Sequence, residues 1–149
     1  MSYAPDDLRY TKDHEWVRVD DKGIATCGIT DYAQSVLEEI VFVELPEPGR
    51  RVRQKDHIAT IESEKSVLEV HAPVTGKLIE VNSNVEETPE LINDDPYGEG
   101  WLFRIELKGK AKLDSLLDAD EYQDHVVQVE EDNIDVDEED EDGEEELGF

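Results

Sequence analysis

The sequence predicts a mainly β fold with short peripheral helices and an acidic C-terminal tail. Short runs rich in β-branched and aromatic residues recur at tight spacing, and turn-forming residues separate them. The run at residues 101–107 alternates apolar and polar side chains, which is typical of a strand with one buried face. Acidic residues dominate the end of the chain, so we predict a domain at residues 1–125 and a tail at residues 126–149.

Six segments that precede residues 101–107 also have the composition of strands. They lie at 15–19, 24–29, 40–45, 57–62, 67–71 and 77–81. Turn-forming residues such as Gly23, Gly49 and Gly76 lie between several of them. Several short strands at this spacing, with few helices, are typical of a small β-barrel or β-sandwich.

Short helices are predicted at two places. Thr30 is a good N-cap residue, and Asp31 is favourably placed in the first turn of a helix that follows it. Apolar residues continue this helix at helical spacing on one face, namely Ala33, Val36, Leu37 and Ile40. A second amphipathic helix is predicted beside the tail from the spacing of Leu113, Leu116, Leu117 and Tyr122.

The acidic charge belongs mainly to the last quarter of the chain. The 149 residues include 41 acidic and 14 basic residues, for a formal net charge of −27. Residues 114–149 contain 18 acidic residues and no Lys or Arg, so they contribute −18 of this charge. Because such a segment repels itself and buries little apolar surface, the tail at 126–149 is predicted to be disordered.

The composition also argues against several classes of partner and location. Nucleic acids and anionic membrane surfaces are bound through basic surfaces, which a chain this acidic lacks. No apolar run approaches the roughly 18 residues that a membrane-spanning helix needs. The first ten residues, MSYAPDDLRY, resemble neither a signal peptide nor a transit peptide, so a cytoplasmic location is predicted.

The sequence contains no arrangement typical of a catalytic or metal site. The glycines are scattered singly, which argues against a phosphate-binding loop, and no serine lies in a nucleophile elbow. The only cysteine, Cys27, cannot form an intramolecular disulfide and is predicted to be a small buried hydrophobic residue. No metal is predicted, because no metal-ligand spacing joins the four histidines, which are His14, His57, His71 and His125.

Lys65 stands out by its position. It lies in the four-residue polar break at 63–66, between two predicted strands of similar length, which places it at an exposed hairpin tip. Such a lysine is accessible to a modifying enzyme, and the strands below it hold it in place. Acylation would convert its ammonium group into a neutral amide.

The segment around Lys65 resembles that of lipoyl carrier domains. The matching run is IESEKSVLEVHAPVTGKLIEV at residues 61–81. The rest of the domain resembles the glycine cleavage system H protein family, through YTKDHEWVRV at 10–19, GITDYAQ at 28–34, IVFVELPEPG at 40–49 and PELINDDPYGEGWL at 89–102. This resemblance implies a barrel-sandwich hybrid fold, with lipoic acid bound covalently to Lys65.

The resemblance implies a carrier protein and not an enzyme. A lipoamide arm on Lys65 would shuttle an aminomethyl intermediate from glycine decarboxylase to aminomethyltransferase, and dihydrolipoyl dehydrogenase would reoxidise the arm. A lipoate ligase, or an octanoyl or lipoyl transferase, would attach it. By position, Glu15 and Glu69 match acidic residues of the family that lie near the docked arm, where a carboxylate could pair with the cargo ammonium.

The chain departs from the family pattern at two places, one of which directly precedes Lys65. Glu64 replaces the apolar residue that usually precedes the lysine, and Leu37-Glu38-Glu39 stands where the family has Leu-Gly-Asp. These departures leave open a related role, that of the H-like lipoate-binding carrier of sulfur intermediates. That carrier works in bacterial sulfur oxidation with a heterodisulfide-reductase-like complex. An unlipoylated interaction module is a third alternative, from a different class.

Overall fold

The computed structural model describes residues 3–107, 113 and 115–139, and for residues 131–139 it describes only the backbone. Within these residues nine strands form two antiparallel sheets. The larger sheet contains, in spatial order, β1 (Arg9–Tyr10), β2 (Glu15–Val19), β3 (Ile24–Ile29), β9 (Phe103–Leu107), β8 (Gly76–Val81) and β5 (Arg51–Val52). The smaller sheet contains β4 (Ile40–Glu44), β6 (His57–Ser63) and β7 (Val67–His71).

The mainly β prediction is confirmed, and each of the seven predicted strands has a counterpart within two residues of the expected bounds. The strands β1 and β5 were not predicted, because two residues are too few to show an alternating pattern. The short helices α2 (Ser83–Glu87) and α3 (Glu90–Asp94) were not predicted either. Each has five residues, which is too short for an amphipathic repeat.

The helix α1 (Asp31–Leu37) begins as predicted. The Thr30 hydroxyl accepts a hydrogen bond from the Ala33 backbone N–H at 3.2 Å, which caps the helix. The helix ends earlier than the apolar spacing suggested, since the chain leaves the helical conformation at Glu38. Ile40 therefore does not extend the apolar face of α1 but begins β4.

The C-terminal helix, α4 (Ala119–Glu139), has a different start and a different length from the helix predicted there. Leu117 forms a β-bridge with Tyr10, and residues 115–117 are not helical. Asp118 and Glu121 then cap the helix reciprocally, each accepting a hydrogen bond at 2.9 Å from the backbone N–H of the other.

The helix α4 also crosses the boundary predicted at residue 126, whereas disorder was predicted from there onward. Val126 is buried and Val129 is partly buried, so the apolar face of the helix continues past the boundary. This packing explains why acidic residues did not end the helix at 125. The remainder of the predicted tail, 140–149, lies outside the described residues, and the division into two parts stays a prediction.

Two apolar clusters stabilise this arrangement. The main core lies between the two sheets and includes Val17, Ile61, Leu78 and Ile105. A second cluster attaches α4 to the outer end of the larger sheet, and its buried members include Tyr10, Trp16, Tyr32, Tyr122 and Val126. In the described part of the chain, no helix combines the length and apolar character needed to cross a membrane.

Candidate functional site

Lys65 lies at the tip of the hairpin that joins β6 to β7, as the sequence predicted. The backbone N–H of Ser63 donates to the Ser66 carbonyl at 2.9 Å. The Ser63 hydroxyl also accepts hydrogen bonds from the backbone N–H groups of Lys65 and Ser66, at 3.3 and 3.1 Å. The turn is therefore well defined, while the Lys65 side chain above it is 56% exposed.

The amine of Lys65 is paired with Glu38. The distance from Lys65 Nζ to Glu38 Oε2 is 3.3 Å. Glu38 has φ 67° and ψ −137°, a backbone conformation that residues other than glycine rarely adopt. Glu39 and Glu64 lie beside the ion pair, around a surface depression of about 420 Å³. An acidic rim thus surrounds the lysine.

A groove of about 480 Å³ lies alongside β7, and we call it the β7–α4 groove. Its walls include Val67 and Glu69 of β7 on one side and His125 and Val129 of α4 on the other. An adjoining pocket of about 430 Å³ shares Asp13 and His71 with this groove, along with Lys12, and is also lined by Glu15. Glu69 therefore lines the groove and Glu15 lines the adjoining pocket, so the two acidic residues predicted from the sequence do not share one cavity.

Glu15 is almost completely buried, at 2% exposed. Its Oε1 accepts a hydrogen bond from the Thr11 hydroxyl at 2.9 Å, and its Oε2 accepts one from the backbone N–H of His71 at 2.8 Å. Burial raises the pKa of Glu15 to about 8, although both hydrogen bonds act in the opposite direction. Glu15 is therefore mostly protonated at neutral pH. Glu69, by contrast, is exposed.

Folding brings the four histidines together in two pairs, which their spacing in the sequence did not indicate. The ring centroids of His57 and His71 are 6.1 Å apart, and those of His14 and His125 are 5.7 Å apart. His14, His71 and His125 all line the β7–α4 groove. The groove therefore contains three imidazole rings beside the exposed carboxylate of Glu69.

Asp13, His71 and Glu38 were not predicted from the sequence as site residues. No local pattern joins His71 to Glu15, because 56 positions separate them. For Glu38 a signal was present, since a glutamate occupies a position where the resembled family has glycine. The prediction that Cys27 is buried is confirmed: it is fully buried, and burial raises the pKa of its thiol well above the usual value.

The residues around the hairpin fit a long acyl group on Lys65. The amine is exposed, and Val67, two residues further along, already lines the β7–α4 groove. Glu69 lies four residues along the chain from Lys65, which would be about 13 Å if the whole segment were extended and is less with Lys65 in the turn. An acyl-lysine side chain can span that distance. The fold and the site define a class of protein, a small β carrier domain that presents a prosthetic group on a lysine.

Comparison with known proteins identifies the family. The sequence model described as "Glycine cleavage H-protein" matches residues 8–130. The chain therefore belongs to the glycine cleavage H-protein family. Its members carry lipoic acid covalently attached to a lysine, and they serve as carrier subunits of the glycine cleavage system. Residues 131–149 extend beyond the matched region.

Individual relatives agree with this assignment. The chain is 50% identical over 122 residues to the glycine cleavage system H protein of Symbiobacterium thermophilum, covering 82% of this chain and 94% of that protein. It is 46% identical over 126 residues to the same protein of Marinobacter nauticus, covering 85% and 97%. The crystal structure of a glycine cleavage system H protein from Mycobacterium marinum matches with a TM-score of 0.76 and 36% identity, covering 83% of this chain and 99% of that one.

Proposed function

We propose that this chain is the lipoyl carrier of a glycine cleavage system, with lipoic acid attached to Lys65. In this role it receives an aminomethyl group at glycine decarboxylase and delivers it to aminomethyltransferase, and dihydrolipoyl dehydrogenase then restores the arm. A lipoate ligase, or an octanoyl or lipoyl transferase, makes the attachment. The observation that carries the proposal is the exposed amine of Lys65 at a fixed hairpin tip in a chain of this family.

The chain's own residues position the arm and supply no reacting sulfur. When bound, the lipoyl group supplies a disulfide that can be reduced and can accept a carbon group. The hairpin fixes the base of the arm through the hydrogen bonds of Ser63. Cys27 is buried, so it does not compete with the arm in thiol exchange. The carrier is not itself a catalyst and turns over no substrate without its partners.

Glu15 and Glu69 are proposed to receive the loaded arm in the β7–α4 groove and its adjoining pocket. Glu69 offers an exposed carboxylate to the cargo ammonium. Glu15 holds a proton at neutral pH in the unloaded protein, since burial raises its pKa to about 8. An ammonium group close to it favours the carboxylate form, so loading would release this proton and form a charged pair.

Intact mass spectrometry tests the attachment site. Full-length protein from lipoate-sufficient host cells should carry the mass of one lipoyl group, and the Lys65→Arg variant should lack it. Lys77→Arg, an exposed lysine on β8, is the matched control and should keep the added mass. An unshifted wild-type mass would support the unlipoylated interaction module. An added mass retained in Lys65→Arg would place the modification elsewhere.

The role of the two acidic residues can be measured on the loaded protein. Glu15→Gln and Glu69→Gln should leave lipoylation intact but should shorten the lifetime of the aminomethyl-loaded arm several-fold, because each removes a carboxylate that pairs with the cargo. Glu80→Gln, at an exposed acid on β8 that pairs with Arg104, is the control and should not change that lifetime. Equal lifetimes in all variants would exclude a docking role for Glu15 and Glu69.

Reconstitution separates glycine cleavage from the sulfur-oxidation role that the departures near Lys65 left open. The lipoylated protein should support glycine decarboxylation and methylene transfer with the three partner enzymes. The relatives described above favour this outcome, because all carry the glycine cleavage name. Intact lipoylation without glycine turnover would favour a carrier of sulfur intermediates for a heterodisulfide-reductase-like complex.

A further inference from the structure

Three metal-ligating side chains meet where the β7–α4 groove joins its neighbouring pocket. They are Asp13, from the turn that precedes β2, Glu15, the first residue of β2, and His71, from the end of β7. One ligating atom from each lies within 4.8 Å of the other two. All three residues line the adjoining pocket, so an ion can reach them from solvent.

The Nδ1 atom of His71 is the ring nitrogen that faces this cluster and could coordinate a metal ion. This nitrogen is shielded from solvent and has no hydrogen-bond partner among the residues that the structure describes. This atom lies 3.7 Å from Glu15 Oε2, which is too long for a hydrogen bond and leaves the nitrogen unsatisfied. A shielded ring nitrogen without a protein partner is a position at which a water molecule or a metal ion can bind.

The other two residues offer carboxyl oxygens from different environments. Glu15 is almost fully buried, and its backbone is fixed by the antiparallel pairing of β2 with β3. Asp13 is exposed, so its side chain can rotate toward an ion. Ligands about 2.1 Å from a tetrahedral zinc ion lie about 3.4 Å apart, so closure from 4.8 Å requires a shift of little more than 1 Å.

We propose that Asp13, Glu15 and His71 form a binding site for one divalent transition-metal ion, with zinc as the reference ion. One imidazole nitrogen and two carboxylate oxygens are a donor set that zinc accepts, and water completes the coordination. The proposal does not depend on the carrier role, because Lys65 is not among the ligands. The pocket in which Glu15 is proposed to receive the loaded arm would then also be able to bind a metal ion.

His57, beside His71, and His125, in the groove, provide matched controls. His57 Nε2 lies 3.2 Å from the Thr60 hydroxyl, and His125 Nε2 lies 3.1 Å from the Lys12 carbonyl. Neither residue belongs to the three-residue cluster. Replacing His57 or His125 with asparagine therefore removes one imidazole from the same region of the surface without removing a proposed ligand.

Titration with zinc chloride in the full-length Lys65→Arg background tests the site, since that background lacks any lipoyl thiol that could bind zinc itself. Calorimetry should show one saturable site per chain. His71→Asn and Asp13→Asn should each weaken zinc binding by more than about tenfold. Substitution of residues that only support the ligands already weakens metal binding by about tenfold or more, so loss of a ligand should cost at least as much. His57→Asn and His125→Asn should bind as the background does. The ¹⁵N resonance of His71 Nδ1 should shift on zinc addition.

Two other results would overturn the proposal. Equal zinc affinity in His71→Asn and the background, with no shift of the His71 resonance, would show that zinc binds elsewhere. Loss of all zinc binding on truncation after Glu130 would assign it to the acidic residues that follow. Because Glu15 is buried, a Glu15→Gln variant is informative only if its thermal unfolding midpoint matches the background, and the exposed Asp13→Asn variant keeps the test independent of that result.

Discussion

At the scale of single residues, Glu38, which contacts Lys65, has a backbone conformation that is unusual for a glutamate. Its φ of 67° and ψ of −137° are angles that glycine adopts readily and that cost other residues about 1–3 kcal/mol. The surroundings impose this conformation. The Glu38 N–H donates to the last turn of α1, and the Asn93 amide donates to the Glu38 carbonyl at 2.7 Å. The glutamate is thus held beside Lys65 at a conformational cost.

Glu38→Gly should therefore stabilise the protein. Relief of the backbone strain exceeds both the entropy that glycine loses on folding and the contribution of an exposed ion pair, which is at most about 1 kcal/mol. The expected gain in the free energy of unfolding is about 1 kcal/mol, measured by urea denaturation.

Two variants separate backbone strain from charge in this test. Glu38→Gln keeps the strained backbone and removes the ion pair with Lys65, so its stability should be unchanged or lower by at most about 1 kcal/mol. Glu39→Gly, at the next residue, whose φ is not positive, should lower stability. A loss of stability in Glu38→Gly as large as that in Glu39→Gly would show that position 38 carries no strain.

At the scale of secondary structure, the attachment of α4 determines one wall of the β7–α4 groove. Tyr122 of this helix is 1% exposed and stacks on Tyr10, with ring centroids 4.8 Å apart. Its hydroxyl lies 2.8 Å from His14 Nδ1 and 2.7 Å from Thr30 Oγ1. One buried hydroxyl thus connects α4 to the turn before β2 and to the cap of α1.

Tyr122→Phe should weaken this attachment while keeping the ring. Both buried hydrogen bonds of the hydroxyl are lost, which should lower the free energy of unfolding by about 1–2 kcal/mol in urea denaturation. Tyr3→Phe removes a hydroxyl from a ring that is 65% exposed and should change stability by less than about 0.5 kcal/mol. Similar stabilities for the two variants would mean that the Tyr122 hydroxyl does not hold α4 in place.

The same elements show which features the sequence predicts and which it does not. The strands, the Thr30 cap and the hairpin of Lys65 follow from local patterns of hydrophobicity and turn residues, and all appeared as expected. The predicted start of the C-terminal helix was wrong because Leu117 pairs with Tyr10, more than 100 positions away. The pairing of His71 with Glu15 depends in the same way on β2 and β7 meeting in space, which no local pattern encodes.

At the scale of the whole molecule, the net charge of −27 is unevenly distributed and bears little on the carrier site. Residues 131–149 contain 12 of the 41 acidic residues and no base, and they lie beyond the region matched by the family. Val126 and Val129, in contrast, pack on the second apolar cluster. The functional boundary of the carrier domain is therefore expected after residue 130 and not at residue 125.

Two truncations test this boundary. A chain ending at Glu130 should keep lipoylation of Lys65 and its full free energy of unfolding, while its net charge falls from −27 to −15. A chain ending at His125 also loses Val126 and Val129, and should lose about 2 kcal/mol, the value of burying one aliphatic side chain. Intact mass and urea denaturation measure both effects. Failure of the longer chain to become lipoylated, despite unchanged stability, would make the acidic segment part of what the attaching enzyme recognises.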